Sequence, residues 1–117
     1  MENKIYDLEE RLKSFHIRTI RLCKKVSITP ITSRIIPQIV ACSGSAGANY
    51  CEASEGMSKK DFVKSLKTSR KELREYSIWI AGLKEAADFT DSEFDALLQE
   101  SKELTYIFTS IIKKADV

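Results

Sequence analysis

Apolar side chains recur along this chain at alternating steps of three and four, the spacing of helices packed along a seam. Ile5, Leu8, Leu12, Phe15, Thr19, Leu22 and Val26 form the first such line and predict a helix over about 4–26. Pro30 ends it, because a proline disfavours a helical residue before it. A second helix is expected over about 33–54, with Pro37 in its first turn and Gly56 as its stop. Phe62, Leu66, Ser69, Leu73, Tyr76, Ile80, Leu83 and Ala87 predict a third over about 59–88. Ser58-Lys59-Lys60-Asp61 opens it as a capping box with Asp in place of Glu. Phe94, Leu97, Ser101, Leu104, Phe108, Ile111 and Ala115 predict a fourth over about 91–115. Thr90-Asp91-Ser92-Glu93 is its capping box, and Lys113 and Lys114 suit its last turn.

Short connections make sequential helices antiparallel neighbours, so the expected fold is all-α: one domain, 1–117, forming an up-down-up-down four-helix bundle. The middle of the second helix is unusual. Ala41-Cys42-Ser43-Gly44-Ser45-Ala46-Gly47-Ala48 holds nothing larger than Cys. Two helical glycines cost ~1 kcal/mol each relative to Ala, so a close approach by a neighbouring helix is the natural compensation. The rival reading is a loop with the helix broken at Gly44.

Composition narrows the class. Apolar residues make up 43% and charged residues 31%, unlike a disordered chain. No apolar run reaches the ~20 residues that span a bilayer, and the first residues lack an apolar segment behind a basic one, so neither a membrane span nor a signal peptide is expected. Cytoplasmic localisation follows as the expectation. Cys23, Cys42 and Cys51 make neither a disulfide framework nor a C-x-x-C knuckle, and read as reduced, buried thiols. A single histidine, His16, excludes a multi-His metal site within one chain. No P-loop, Rossmann fingerprint, G-x-S-x-G or H-E-x-x-H occurs. Catalytic residues, metal ligands and cofactors are therefore not expected.

Two surpluses remain. Ile17, Ile20, Ile35, Ile36, Ile39, Val40, Val63, Ile78, Trp79 and Ile107 lie on or beyond the margins of the seams, more apolar surface than one bundle core needs. A homo-oligomer is the expectation. The charges are also segregated. Residues 59–74 carry seven basic side chains against two acidic, a net of +5. Residues 85–103 carry seven acidic against one basic, a net of −6. Lys60, Lys64, Lys67, Lys71 and Arg74 fall every three or four residues and so share one stripe, with Arg70 beside it. The first helix adds Arg11, Lys13, Arg18, Arg21, Lys24 and Lys25. The stripe reads as a surface tracking a phosphate backbone, as a solvated face, or as the complement of the acidic fourth helix. It has no interleaved aromatics for base stacking.

One segment carries a resemblance. Gln38-Ile39-Val40, then Ser45-Ala46-Gly47-Ala48-Asn49-Tyr50-Cys51-Glu52-Ala53, then Ser58-Lys59-Lys60-Asp61-Phe62, then Lys71-Glu72, Glu75 and Trp79 follow a known order and spacing. Together they resemble the bacterial four-helix-bundle proteins encoded in intervening sequences of large-subunit rRNA genes, and the accessory variability proteins of diversity-generating retroelements. The resemblance implies a barrel-like homopentamer with a role in binding RNA or DNA, and a reverse transcriptase as partner in the retroelement relatives. Gly47, Ala48, Asn49, Tyr50, Glu52 and Trp79 of that pattern, with Gly44 of the small-residue stretch, are the candidate structural and oligomer motif. Lys60, Lys64, Lys67, Arg70, Lys71, Arg74, Arg18 and Arg21 are the candidate nucleic-acid contacts. The chain departs from the family pattern at Ala41 and Cys51, where arginine is usual. Asn49 and Glu52 are candidates for a buried polar network at a helix contact.

Overall fold

The first helix, α1 (Leu8–Cys23), is followed by α2 (Thr32–Ala53), α3 (Lys59–Ala86) and α4 (Ser92–Ala115). The computed structural model describes residues 7–53, 55 and 58–115. Lys4 and Ile5, at the predicted start of α1, and Ser54 and Gly56, the predicted end and stop of α2, lie outside the described residues. Each helix packs on the next in sequence, and α1 closes the ring against α4. Neighbours are antiparallel: the contacts between neighbouring helices pair rising with falling numbers, as Arg11 with Glu100 and Arg18 with Glu93 between α1 and α4. Ser69 reaches Ala46, Arg70 reaches Thr109 and Lys84 reaches Asp95. This is the expected up-down-up-down bundle. Its 46 Å long axis matches a 28-residue α3, which spans about 42 Å.

The predicted seams become the core. Leu8, Leu12, Phe15, Thr19, Leu22 and Val26 are all buried, as are Leu66, Ser69, Leu73, Tyr76, Ile80 and Leu83. Four seam ends differ, and of these Ala87 and Ala115 are only half-buried. Val63, not Phe62, is buried at the start of α3, and Ile112, not Ile111, near the end of α4. A straight α-helix drifts away from a strict seven-residue repeat, which accounts for the α4 slip: Phe94, Leu97, Ser101, Leu104, Phe108 and Ile112 average 3.6 residues per turn. Aromatic rings fill the diagonals. Phe15 of α1 meets Tyr76 of α3 with centroids 4.4 Å apart, and Tyr50 of α2 meets Phe108 of α4 edge-on at 5.8 Å. The Thr19 hydroxyl donates to the Phe15 carbonyl at 2.8 Å, so the Tyr76 hydroxyl donates to Thr19 at 2.7 Å. Burial raises the Tyr76 pKa and keeps that donor protonated.

Helix starts obey local chemistry, with two corrections to the sequence reading. Thr29 and Thr32 form a reciprocal capping pair: Thr29 Oγ1 accepts from the Thr32 N–H at 3.1 Å, and Thr32 Oγ1 accepts from the Thr29 N–H at 2.8 Å. The turn therefore begins earlier than predicted, and Pro30, not Pro37, is the first-turn proline. Pro37 lies inside α2, where its missing N–H leaves the Ser33 carbonyl without its helical donor at the exposed start of the helix. At α4, Asp91 rather than Thr90 is the cap: its Oδ1 accepts from the Glu93 N–H at 2.8 Å. Glu93 cannot close the predicted box because Arg18 holds its carboxylate. The Ser58 cap of α3 forms as expected, accepting from the Asp61 N–H at 3.2 Å.

The small-residue stretch is continuous helix, not a loop broken at Gly44. What fills the space is a side-chain ring rather than a neighbouring backbone. A Cβ on Gly44 would stand 3.1 Å from His16 Cε1. His16 Nδ1 lies 2.7 Å from Ser43 Oγ, and that hydroxyl donates to the Val40 carbonyl at 3.1 Å, so the imidazole nitrogen is the donor. A Cβ on Gly47 would meet only Leu12 Cβ, at an ordinary 3.6 Å. The two glycines therefore differ in what they do. Gly47→Ala is expected to gain about 0.5–1 kcal/mol from helix propensity, whereas Gly44→Leu is expected to lose about 1–3 kcal/mol by displacing His16. Urea unfolding of the two variants checks this.

Candidate nucleic-acid interface

Three glutamates of the acidic fourth helix are paired from α1, and Asp95 is paired from α3 by Lys84 at 2.8 Å. Arg11 Nε and Nη2 grip Glu100 at 2.9 and 2.6 Å, and Nη2 also reaches Glu103 at 3.2 Å. Two turns along, Arg18 grips both oxygens of Glu93 at 2.9 Å. Lys25 reaches Asp91 at 3.1 Å. The arginine forks match carboxylate geometry and hold the ring closed where α1 meets α4. Arg18 holds the Glu93 carboxyl below its ordinary value, chiefly by hydrogen bonding and then by charge. The Glu93 N–H, then Lys25, does the same to Asp91.

This pairing bears on the α3 stripe. Lys60, Lys64, Lys67, Lys71 and Arg74 are all exposed and run about 21 Å along one face. Among the described residues, no carboxylate lies within ion-pair distance of Lys60, Lys64, Lys71 or Arg74. Lys60, Lys64, Lys67 and Lys71 line an open groove of about 780 Å³ with Val63 on its floor. Arg70 is half-buried and donates to Thr109 Oγ1 at 3.4 Å. Arg18 and Arg21 do not join the stripe. They belong to α1, diagonally across the core, and Arg18 is held by Glu93 while Arg21 is exposed.

The motif residues of α2 take several positions. Gly44 and Gly47 face α1, Ala48 is exposed, Tyr50 packs on Phe108, and Trp79 packs half-buried against the core. Asn49 Nδ2 bonds the Ser45 carbonyl and hydroxyl of its own helix at 2.9 and 3.1 Å, and Glu52 is exposed. Among the described residues the pair therefore forms no buried network. A cross-helix polar bond comes instead from Ser69, whose Oγ donates to the Ala46 carbonyl at 2.8 Å. The thiols also divide. Cys23 and Cys42 are buried, and Cys51 is exposed, contrary to expectation. Burial pushes Cys23 up to about 11. Burial, then the Glu72 carboxylate, pushes Cys42 up to about 12. Cys42, Glu72 and Glu75 converge across the α2–α3 contact, with one donor atom from each within 4.8 Å of the others. Sequence reading missed this cluster, since only the helix register brings residues thirty apart together. Exposed Ile78 and Tyr106 leave apolar surface on α3 and α4.

Helical packing with no helix long and apolar enough to cross a membrane, among the described residues, defines a small bundle protein with a basic face. The chain belongs to the 23S rRNA-intervening sequence protein family, whose model matches residues 4–110. A crystal structure from Bacteroides thetaiotaomicron VPI-5482, of a protein with unknown function from the S23 ribosomal protein family, is similar to it with a TM-score of 0.76. The two are 26% identical over 90% of this chain and 97% of that one. No curated protein matches the chain.

The Arg18–Glu93 clamp carries a pH signature. A carboxylate with a depressed folded pKa contributes stability above its unfolded value and loses it as pH falls through the folded value. The stability gap between the native chain and Glu93→Gln is therefore expected to be full at neutral pH and to shrink between about pH 5 and pH 3. Chemical denaturation at a series of pH values measures that gap.

Proposed function

We propose that this protein is a non-enzymatic homo-oligomeric bundle that binds nucleic acid through the lysine face of α3. The observation that carries the reading is the division of charge. At the α4 contact Glu93, Glu100 and Glu103 are engaged by Arg18 and Arg11, the Asp91 cap by Lys25 and Asp95 by Lys84 at the far end of α3, so the basic stripe of α3 faces solvent without an acidic partner for Lys60, Lys64 or Lys71 among the described residues. A rigid row of cations exchanges counterions for phosphates, and this attraction is insensitive to base sequence. Membership of the family, whose name refers to 23S rRNA, supports the reading.

The test is a filter-binding titration with RNA and with DNA at two salt concentrations. Binding is expected to weaken steeply with salt. In Lys60→Glu/Lys64→Glu/Lys71→Glu the log–log salt slope should fall by about one unit for each phosphate that is no longer neutralised. Absence of binding even at low salt rejects the proposal.

Self-association rests on a different observation. Ile78 is 71% exposed and Tyr106 74% exposed, both on helices whose other large apolar groups are covered. Burying such surface between copies is the expected use of it. Light scattering is expected to return a multiple of the single-chain mass, and Ile78→Lys/Tyr106→Lys a smaller particle. A native particle of one chain's mass refutes the assembly.

A further inference from the structure

We propose that Cys42, Glu72 and Glu75 form a binding site for one divalent cation of the zinc class, separate from the basic face. The three side chains come from two helices, and their sulfur and oxygen donors lie within 4.8 Å of one another. A tetrahedral ion with a sulfur bond of ~2.3 Å and oxygen bonds of ~2.0–2.2 Å draws three such donors together with small rotamer changes and leaves a fourth position for water. The donor set is mixed. One thiolate selects a borderline-soft ion over magnesium or calcium, which prefer oxygen alone.

Three further features of the structure support this assignment. The Cys42 thiol hydrogen-bonds Glu72, and the two carboxylates have no ion-pair partner among the described residues. Glu72 and Glu75 lie on a helix rich in lysine and arginine, yet among the described residues neither has a basic partner within ion-pair distance. The neighbouring cations Lys71 and Arg74 are exposed on the stripe instead. Burial also matters. Cys42 is only 3% exposed, with its sulfur at the α2–α3 contact, so the two carboxylates crowd a group that water hardly reaches. A cation there replaces the thiol proton, which leaves to solvent, and offsets both carboxylates. The third feature is rigidity. The Ser69 hydroxyl bond to the Ala46 carbonyl pins the two helices one turn from Glu72 on α3 and one turn from Cys42 on α2. Donors held this way lose little freedom on binding.

The experiment is a titration of the reduced, metal-free full chain with Cd²⁺ and with Co²⁺, read by the ultraviolet thiolate-to-metal charge-transfer band. One equivalent per chain is expected to saturate the band. Cys42→Ala should abolish it, Cys23→Ala and Cys51→Ala should leave it intact, and Glu72→Gln/Glu75→Gln should weaken binding by more than about tenfold. Circular dichroism confirms that each variant keeps its helices. Should Cys42→Ala not fold, the double glutamine variant decides the matter alone, since Glu75 is exposed and Glu72 only half-buried. Absence of the band in the native chain, a band that survives Cys42→Ala, or one unchanged in the double variant overturns the proposal.

Discussion

The arrangement depends on how closely α1 and α3 approach α2. Between Ala41 and Ala48 the helix carries only small side chains, so its neighbours engage it through specific contacts rather than a bulky apolar layer. The His16 ring occupies the space a Gly44 side chain would need, and the Ser69 hydroxyl docks on the Ala46 carbonyl. Those contacts fix the registers of α1 and α3 on either side of α2. The α3–α4 contact and the closure of α1 on α4 then follow from antiparallel connection. Each helical glycine weakens α2 in isolation, and tertiary packing supplies what the helix lacks.

Charge organises the outside as packing organises the inside. The near-neutral total conceals an acidic α4 engaged by two arginine forks from α1, with Lys25 beyond α1 on the Asp91 cap, and a basic α3 with no comparable engagement of Lys60, Lys64 or Lys71. Exposed ion pairs contribute little each, but the bidentate forks are part-buried and span the seam that closes the ring. Their consequence for recognition is indirect. By drawing the acidic side chains toward α1, they leave the long α3 face strongly positive.

Much of the fold is legible in the sequence because burial in a bundle follows spacing. Leu12, Phe15, Leu66, Leu73, Leu97 and Leu104 could each be placed in the core from their neighbours three and four residues away. The failures are local. Thr29 and Thr32 spell a helix start around Pro30, a signal present in the sequence but overshadowed by Pro37. Ile112 replaces Ile111 because a straight helix keeps 3.6 residues per turn. Asn49 turns to its own helix, where the Ser45 carbonyl and hydroxyl one turn back both accept from its amide.

By itself, then, the sequence determined the four helices, their order, the seam residues and the segregation of charge, all properties of residues close together along the chain. The tertiary structure alone decided which charges meet and which stay open. Arg18, read as a candidate phosphate contact, is gripping Glu93, seventy-five residues away. Cys42, read as an inert buried thiol, faces Glu72 and Glu75 across a helix contact. Periodicity assigns a residue to a face of its own helix. Which face of which partner it meets depends on helix register, and that is set by the close packing around Gly44 and Ala46.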